Sequence, residues 1–212
     1  MVLAGWLLAG PIWAAPTILV WGDSLSAGYG VDTRSGWVDL LEQKLRTQAD
    51  TGLKTWRVVN GSVSGETTAG GLARLPAALA RHKPTVVLLE LGGNDGLRGL
   101  DVKQMRGNLE KMADLAIAAG AEPVFMEMRI PNNYGPVMTQ RFQKAYTDAA
   151  RAKQATLVPF FLAAIAGDRQ RWFQDDGIHP RTEAQPLMLE GVWPYLEILL
   201  KELSASSGPA KP

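Results

Sequence analysis

Thr85-Val-Val-Leu-Leu-Glu-Leu91 runs directly into Gly92-Gly93-Asn94-Asp95-Gly96. The first half is apolar at nearly every position and has no polar face to offer water. A strand of that kind is covered on both faces, the condition of a central strand in a parallel sheet. The second half is turn-like throughout. Working outward, short β-branched runs predict strands at 17–21, 56–59, 123–129 and 156–159, with 85–91 third in order. Between them, amphipathic spacing predicts helices at 36–48, 69–81, 102–119, 137–152 and 184–203. Gly52 and Gly120 follow two of these runs and are expected to cap their C-termini. Strands alternating with helices predict the α/β class, a doubly wound parallel sheet with right-handed crossovers.

The chain has 212 residues, enough for one such domain and short for two. Lys plus Arg number 22 and Asp plus Glu 21, a formal charge of +1, without the basic footprint of a nucleic-acid binder. With no cysteine, a thiol nucleophile, a disulfide framework and a zinc–thiolate site are excluded. Histidine occurs only at His82 and His179, which excludes a histidine-rich metal site. Residues 1–15 are almost wholly apolar, too short for a span, and end in Trp13-Ala14-Ala15-Pro16. That pattern predicts a secretory signal cleaved after Ala14 or Ala15, hence a periplasmic or secreted protein without stable membrane insertion. A single domain is expected over 16–203, with a flexible tail at 204–212.

In open parallel sheets, ligands bind beyond the carboxyl ends of the strands. After the first strand comes Gly22-Asp23-Ser24-Leu25-Ser26, and after the second Asn60-Gly-Ser-Val-Ser-Gly65-Glu66. Beyond the fifth lies Asp176-Gly177-Ile178-His179-Pro180. Ser24 is a candidate nucleophile, since a serine hydroxyl attacks once a base takes its proton. His179 is the candidate base, with Asp176 three residues earlier and able to bond Nδ1 in a turn. Each fragment has a plainer reading: a helix cap at Asp23-Ser24, an Asp-Gly turn at Asp176-Gly177. His82, before Lys83-Pro84 at a helix end on the opposite sheet edge, reads as structural. The backbone N–H groups of Ser24 and Gly65 and the side-chain amide of Asn94 are candidate oxyanion donors.

These segments resemble the blocks of the SGNH (GDSL-type) hydrolases, closest to the bacterial periplasmic multifunctional thioesterases, lysophospholipases and arylesterases. The similarity runs from Ile18 to Trp193, and stretches as long as Leu89 to Gly99 are specific to that subgroup. The resemblance implies a flavodoxin-like three-layer α/β/α fold with a five-stranded parallel sheet. It implies catalysis by Ser24, Asp176 and His179 through an acyl-enzyme, with no metal or cofactor. It places oxyanion roles on Ser24, Gly65 and Asn94, and substrate-binding roles on Asp95, Ile130 and Pro131. The expected substrates are small acyl esters, thioesters and lysophospholipids, with no nucleic-acid partner. Two departures stand near the site: Trp21 where an aliphatic residue is usual, and Glu66 where aspartate is usual. The rival readings are a carbohydrate O-acetyl esterase on the same triad and a non-catalytic fatty-acid or phosphate binding module.

Overall fold

The computed structural model describes residues 15–206; the signal segment expected at 1–15 lies, but for Ala15, outside them. Strands β1 (Thr17–Gly22), β2 (Arg57–Asn60), β3 (Val86–Glu90), β4 (Glu122–Met126) and β5 (Thr156–Val158) form one parallel sheet in the order β2-β1-β3-β4-β5. Registers run Ile18 to Val58, Leu19 to Val87, Leu88 to Val124 and Phe125 to Leu157. β3 is buried at every position, as its unbroken apolar run requires. Among helices, α1 is Ser24–Ala27, α2 Trp37–Thr47, α3 Thr51–Lys54, α4 Thr68–His82 and α5 Gly93–Leu97. α6 is Val102–Ala118, α7 Pro136–Lys153, α8 Arg169–Trp172 and α9 Gln185–Ser206. One face of the sheet is covered by α2, α3 and α9, the other by α4, α6 and α7. None of these helices is long and apolar enough to cross a membrane.

The helices follow local rules. α2 buries Trp37, Val38, Leu41 and Leu45, one stripe at helical spacing. Thr67 and Asp101 accept from backbone N–H groups at the starts of α4 and α6, and Pro136 opens α7 where its missing N–H costs nothing. Gly120 follows the end of α6 with φ 78°, the conformation a C-terminal glycine supplies.

Three expectations fail locally. Gly52 does not cap α2; the helix ends at Thr47 with Gln48 at its cap, and Gly52 lies inside α3, where Asp50 accepts its N–H. β4 stops at Met126 rather than 129, because β3 has already turned away at Gly92 (φ 114°) and leaves one side of the strand unpaired. The tail expected from 204 is helical to Ser206, since Ser204 Oγ accepts the indole N–H of buried Trp56 at 3.0 Å.

Two helical glycines test this packing with opposite signs. Nothing lies within 4 Å of a Cβ at Gly107, so Gly107→Ala is expected to stabilise by its helix propensity alone, about 0.5–1 kcal/mol. A Cβ at Gly191 in α9 would stand 2.8 Å from the Phe161 carbonyl oxygen. That overpacking costs about 1–3 kcal/mol and outweighs the same gain. Thermal melts should therefore rise for Gly107→Ala and fall for Gly191→Ala; a rise in both would contradict the contact between α9 and the 159–168 segment.

Candidate active site

The strand order reverses between β1 and β3, and a crevice opens there at their carboxyl ends. Ser24 is the first residue of α1, directly after β1, and Asn94 lies in α5, directly after β3. The loop after β2 runs alongside the turn at Gly22: Gly61 N–H donates to Val20 at 2.9 Å and Val63 N–H to Gly22 at 3.0 Å. That loop carries Gly65 to the same edge, with φ 78°. The segment before α9 brings in the acid and the imidazole. His179 Nε2 lies 2.8 Å from Ser24 Oγ, and His179 Nδ1 lies 2.7 Å from Asp176 Oδ2.

The second carboxylate oxygen of Asp176 accepts the backbone N–H of Ile178 at 2.8 Å and of His179 at 3.0 Å. The plain Asp-Gly turn and the ring-orienting carboxylate are thus one structure, with Gly177 at φ 67°. Partial burial raises the Asp176 pKa, but the bonds from the His179 ring and the two backbone N–H groups outweigh it and hold the carboxyl at about 2. An ionised acceptor fixes the proton on Nδ1 and leaves Nε2 free to accept from Ser24. The Tyr29 ring lies 4.5 Å from the imidazole and limits its other motions.

Asn94 Nδ2 donates to Asp23 Oδ2 at 3.0 Å, and an amide nitrogen has a second hydrogen to offer. Neither the Ser24 nor the Gly65 backbone N–H has a hydrogen-bond partner among the described residues. The Gly65 carbonyl accepts from Arg98 at 2.8 Å, which ties its loop to the end of α5. Trp21 and Glu66, the two departures from the family pattern, are joined through Arg74. Its guanidinium lies 4.2 Å over the Trp21 ring and its Nε donates to Glu66 at 2.6 Å. Their position is therefore behind the Gly61–Gly65 loop, outside the residues that line the cleft.

That cleft, of about 220 Å³, opens beside Ser24 and is walled by Leu25, Met128, Pro131, Phe160, Leu162 and Phe173. Pro131 lies where the sequence expects a wall; Ile130 does not. Its side chain is 7 % exposed and packs behind the wall, where a Cβ on Gly96 would strike both it and Phe142. Asp95 also departs from its expected substrate-binding role. Its carboxylate is buried, accepts the N–H and hydroxyl of Thr68, and ties α5 to the start of α4. The sequence reading missed Leu162 and Phe173, whose wall position depends on the long path between β5 and α9. Of the pair Phe160–Phe161, only Phe160 faces the cleft, while Phe161 is buried against Trp37 at 5.9 Å. A second hollow of about 520 Å³ lies on the other side of His179, with polar walls at Tyr29, Gln174, Asp175 and Arg181. His82 closes α4, away from both.

The family described as GDSL-like Lipase/Acylhydrolase matches residues 20–185. Esterase TesA of Pseudomonas aeruginosa is 51 % identical over 187 residues, covering 88 % of this chain and 90 % of that protein. Thioesterase 1/protease 1/lysophospholipase L1 of Escherichia coli is 42 % identical over 187 residues, covering 88 % of this chain and 86 % of that protein. Among solved structures, the psychrotrophic esterase EstA from Pseudoalteromonas sp., inhibited by monoethylphosphonate, superposes with a TM-score of 0.81 at 40 % identity. That likeness covers 87 % of this chain and 98 % of the other. On the family match and on relatives alike over most of both chains, this chain belongs to the GDSL-like lipase/acylhydrolase family and is a hydrolase.

Proposed function

We propose that the protein cleaves acyl esters and thioesters, lysophospholipids included, through an acyl-enzyme at Ser24. The observation that carries this reading is the unbroken chain from Ser24 Oγ to His179 to Asp176, at 2.8 and 2.7 Å, beside an apolar cleft. Ser24 Oγ attacks the acyl carbonyl as His179 Nε2 takes its proton, and Asp176 stabilises the imidazolium. The oxyanion is met by the free N–H groups of Ser24 and Gly65 and by the second amide hydrogen of Asn94. Collapse expels the alcohol or thiol, protonated by His179, and water repeats the sequence to release the acid. The acyl chain occupies the apolar cleft rather than the polar hollow, because only the cleft is lined by Ser24 and Asn94. The relatives' names support both the ester and the thioester substrate classes. The apolar segment at 1–15 supports a reaction in the periplasm or outside the cell, and N-terminal sequencing of exported protein should begin at Ala15 or Pro16.

Ser24→Ala, tested on p-nitrophenyl esters, should lose activity by at least about 10⁴-fold while melting like the wild type. It should also lose covalent labelling by a fluorophosphonate, which a binding module would never show. Asn94→Ala should lower kcat by about 10²–10³-fold with little change in KM. A pure KM effect would make Asn94 a ground-state contact instead.

The cleft, about 220 Å³, lies below the range of roughly 300–1,000 Å³ of drug-sized ligand sites. Rates across p-nitrophenyl esters should therefore climb from acetyl, peak at intermediate acyl length and fall for palmitoyl. Activity confined to the acetyl ester would favour the carbohydrate O-acetyl esterase.

A further inference from the structure

Beneath the turn that carries Ser24 lies a second carboxyl that the proposed reaction does not touch. Glu90 ends β3 and is wholly buried. Its Oε2 accepts the Ser26 hydroxyl at 2.6 Å and the Asp23 backbone N–H at 3.2 Å. Its Oε1 has no hydrogen-bond partner among the described residues. β1 can pass this carboxyl only at Gly22, where a Cβ would run into Oε2. Asp23, next along the chain, is 3 % exposed. Its Oδ1 accepts the N–H of Leu25 at 3.0 Å, and its Oδ2 accepts Asn94 Nδ2 at the same distance.

Two carboxyls so close and so dry do not both ionise, since each charge is costly to bury and each repels the other. The donors decide which one keeps the charge. Both Asp23 oxygens have an N–H aimed at them, which favours the ionised form. Glu90 instead has an oxygen with no donor at all, the atom on which a proton can sit. Burial and then the Asp23 charge push Glu90 well above the usual carboxylate range, whereas Asp23, raised by its burial, comes only to about 6.

We propose that Asp23 and Glu90 form a buried carboxyl pair holding one negative charge, on Asp23, and that Asp23 is thereby the positioning residue of Asn94. One Nδ2 hydrogen is held by the carboxylate, and the other is turned to the oxyanion. This rests on the acyl-hydrolase reading and extends it. Asparagine cannot replace Asp23, because its amide would set a donor against either the Leu25 N–H or the Asn94 amide. Glutamine can replace Glu90. It offers one oxygen to Ser26 and Asp23, and an N–H where the acid carries its proton.

The test compares wild type, Asp23→Asn, Glu90→Gln and Glu90→Leu on p-nitrophenyl butyrate at a pH of about 8, where Asp23 is ionised. Asp23→Asn should lose about tenfold or more in kcat with KM within about twofold. Glu90→Leu should lose a similar factor, and Glu90→Gln should restore kcat to within about twofold of wild type. The wild type should also show the infrared stretch of a protonated carboxyl at this pH, absent from Glu90→Gln; that readout stands even where a variant fails to fold. Unchanged kcat in a folded Asp23→Asn protein would overturn the positioning role. A tenfold loss in folded Glu90→Gln would put the charge on Glu90, and the absence of a protonated-carboxyl signal would mean that both acids are ionised; either result would overturn the pairing. The kcat comparisons require Ser24-dependent turnover in the wild type; its absence would overturn the acyl-hydrolase reading and the positioning role with it.

Discussion

The placement of β1 between β2 and β3 is the constraint on which the rest depends. The strand is buried over Ile18–Gly22 and bonded on both edges, so its carboxyl end cannot shift without breaking two ladders. Because the strand order reverses there, the chains leaving β1 and β3 diverge, and their first residues stand across an open crevice. Ser24 opens α1 and Asn94 lies in α5 at that crevice. The proposed nucleophile and its proposed amide donor thereby follow two buried strands of the sheet, while the imidazole arrives on an irregular segment. That segment is stiffened by its own short bonds: Asp176 caps its turn, and Gln174 ties it to Tyr29 at 2.9 Å and to Pro180 at 3.2 Å.

How much of this was legible in the sequence follows from the range of the forces involved. The strands and long helices were legible because burial imposes a period on the chain, and period is a local property. The edges that failed, at Gly52, at the end of β4 and at Ser204, are places where a partner remote in sequence decides. Ser24, Asp176 and His179 could be named because the chain offers few reactive groups and the sheet gathers strand ends. The geometry joins all three. The partner of Asp95 was not legible for a corresponding reason. A carboxylate beside Asn94 looks available to substrate, and only the fold reveals that Thr68 has already taken it. Glu90 carried a signal of its own, a single acid inside an otherwise apolar strand with nowhere to meet water.

That acid has a thermodynamic consequence. A carboxyl whose pKa is raised on folding favours the native state below its unfolded pKa, and the advantage is lost as pH rises through the folded value. For Asp23 the window runs from 3.8 to about 6. Across it the native state loses on the order of 3 kcal/mol by linkage. Glu90 acts in the same direction, because the unfolded chain would ionise it and the folded chain does not. Asp176 acts oppositely: held at about 2, it favours the native state above the ordinary carboxylate range, and that contribution fades only as pH falls toward 2. A fold selected for stability alone would fill the space of Asp23 and Glu90 with apolar side chains. Retaining two carboxyls under Ser24, and fitting Gly22 around one of them, makes sense if the charge has a task that a neutral cap lacks. Asn94 is the only side-chain N–H that reaches it among the described residues, and Asn94 faces the cleft. The cap on α1 and the partner of the Asn94 amide are one carboxylate, so Ser24 and Asn94 keep their mutual geometry as a unit.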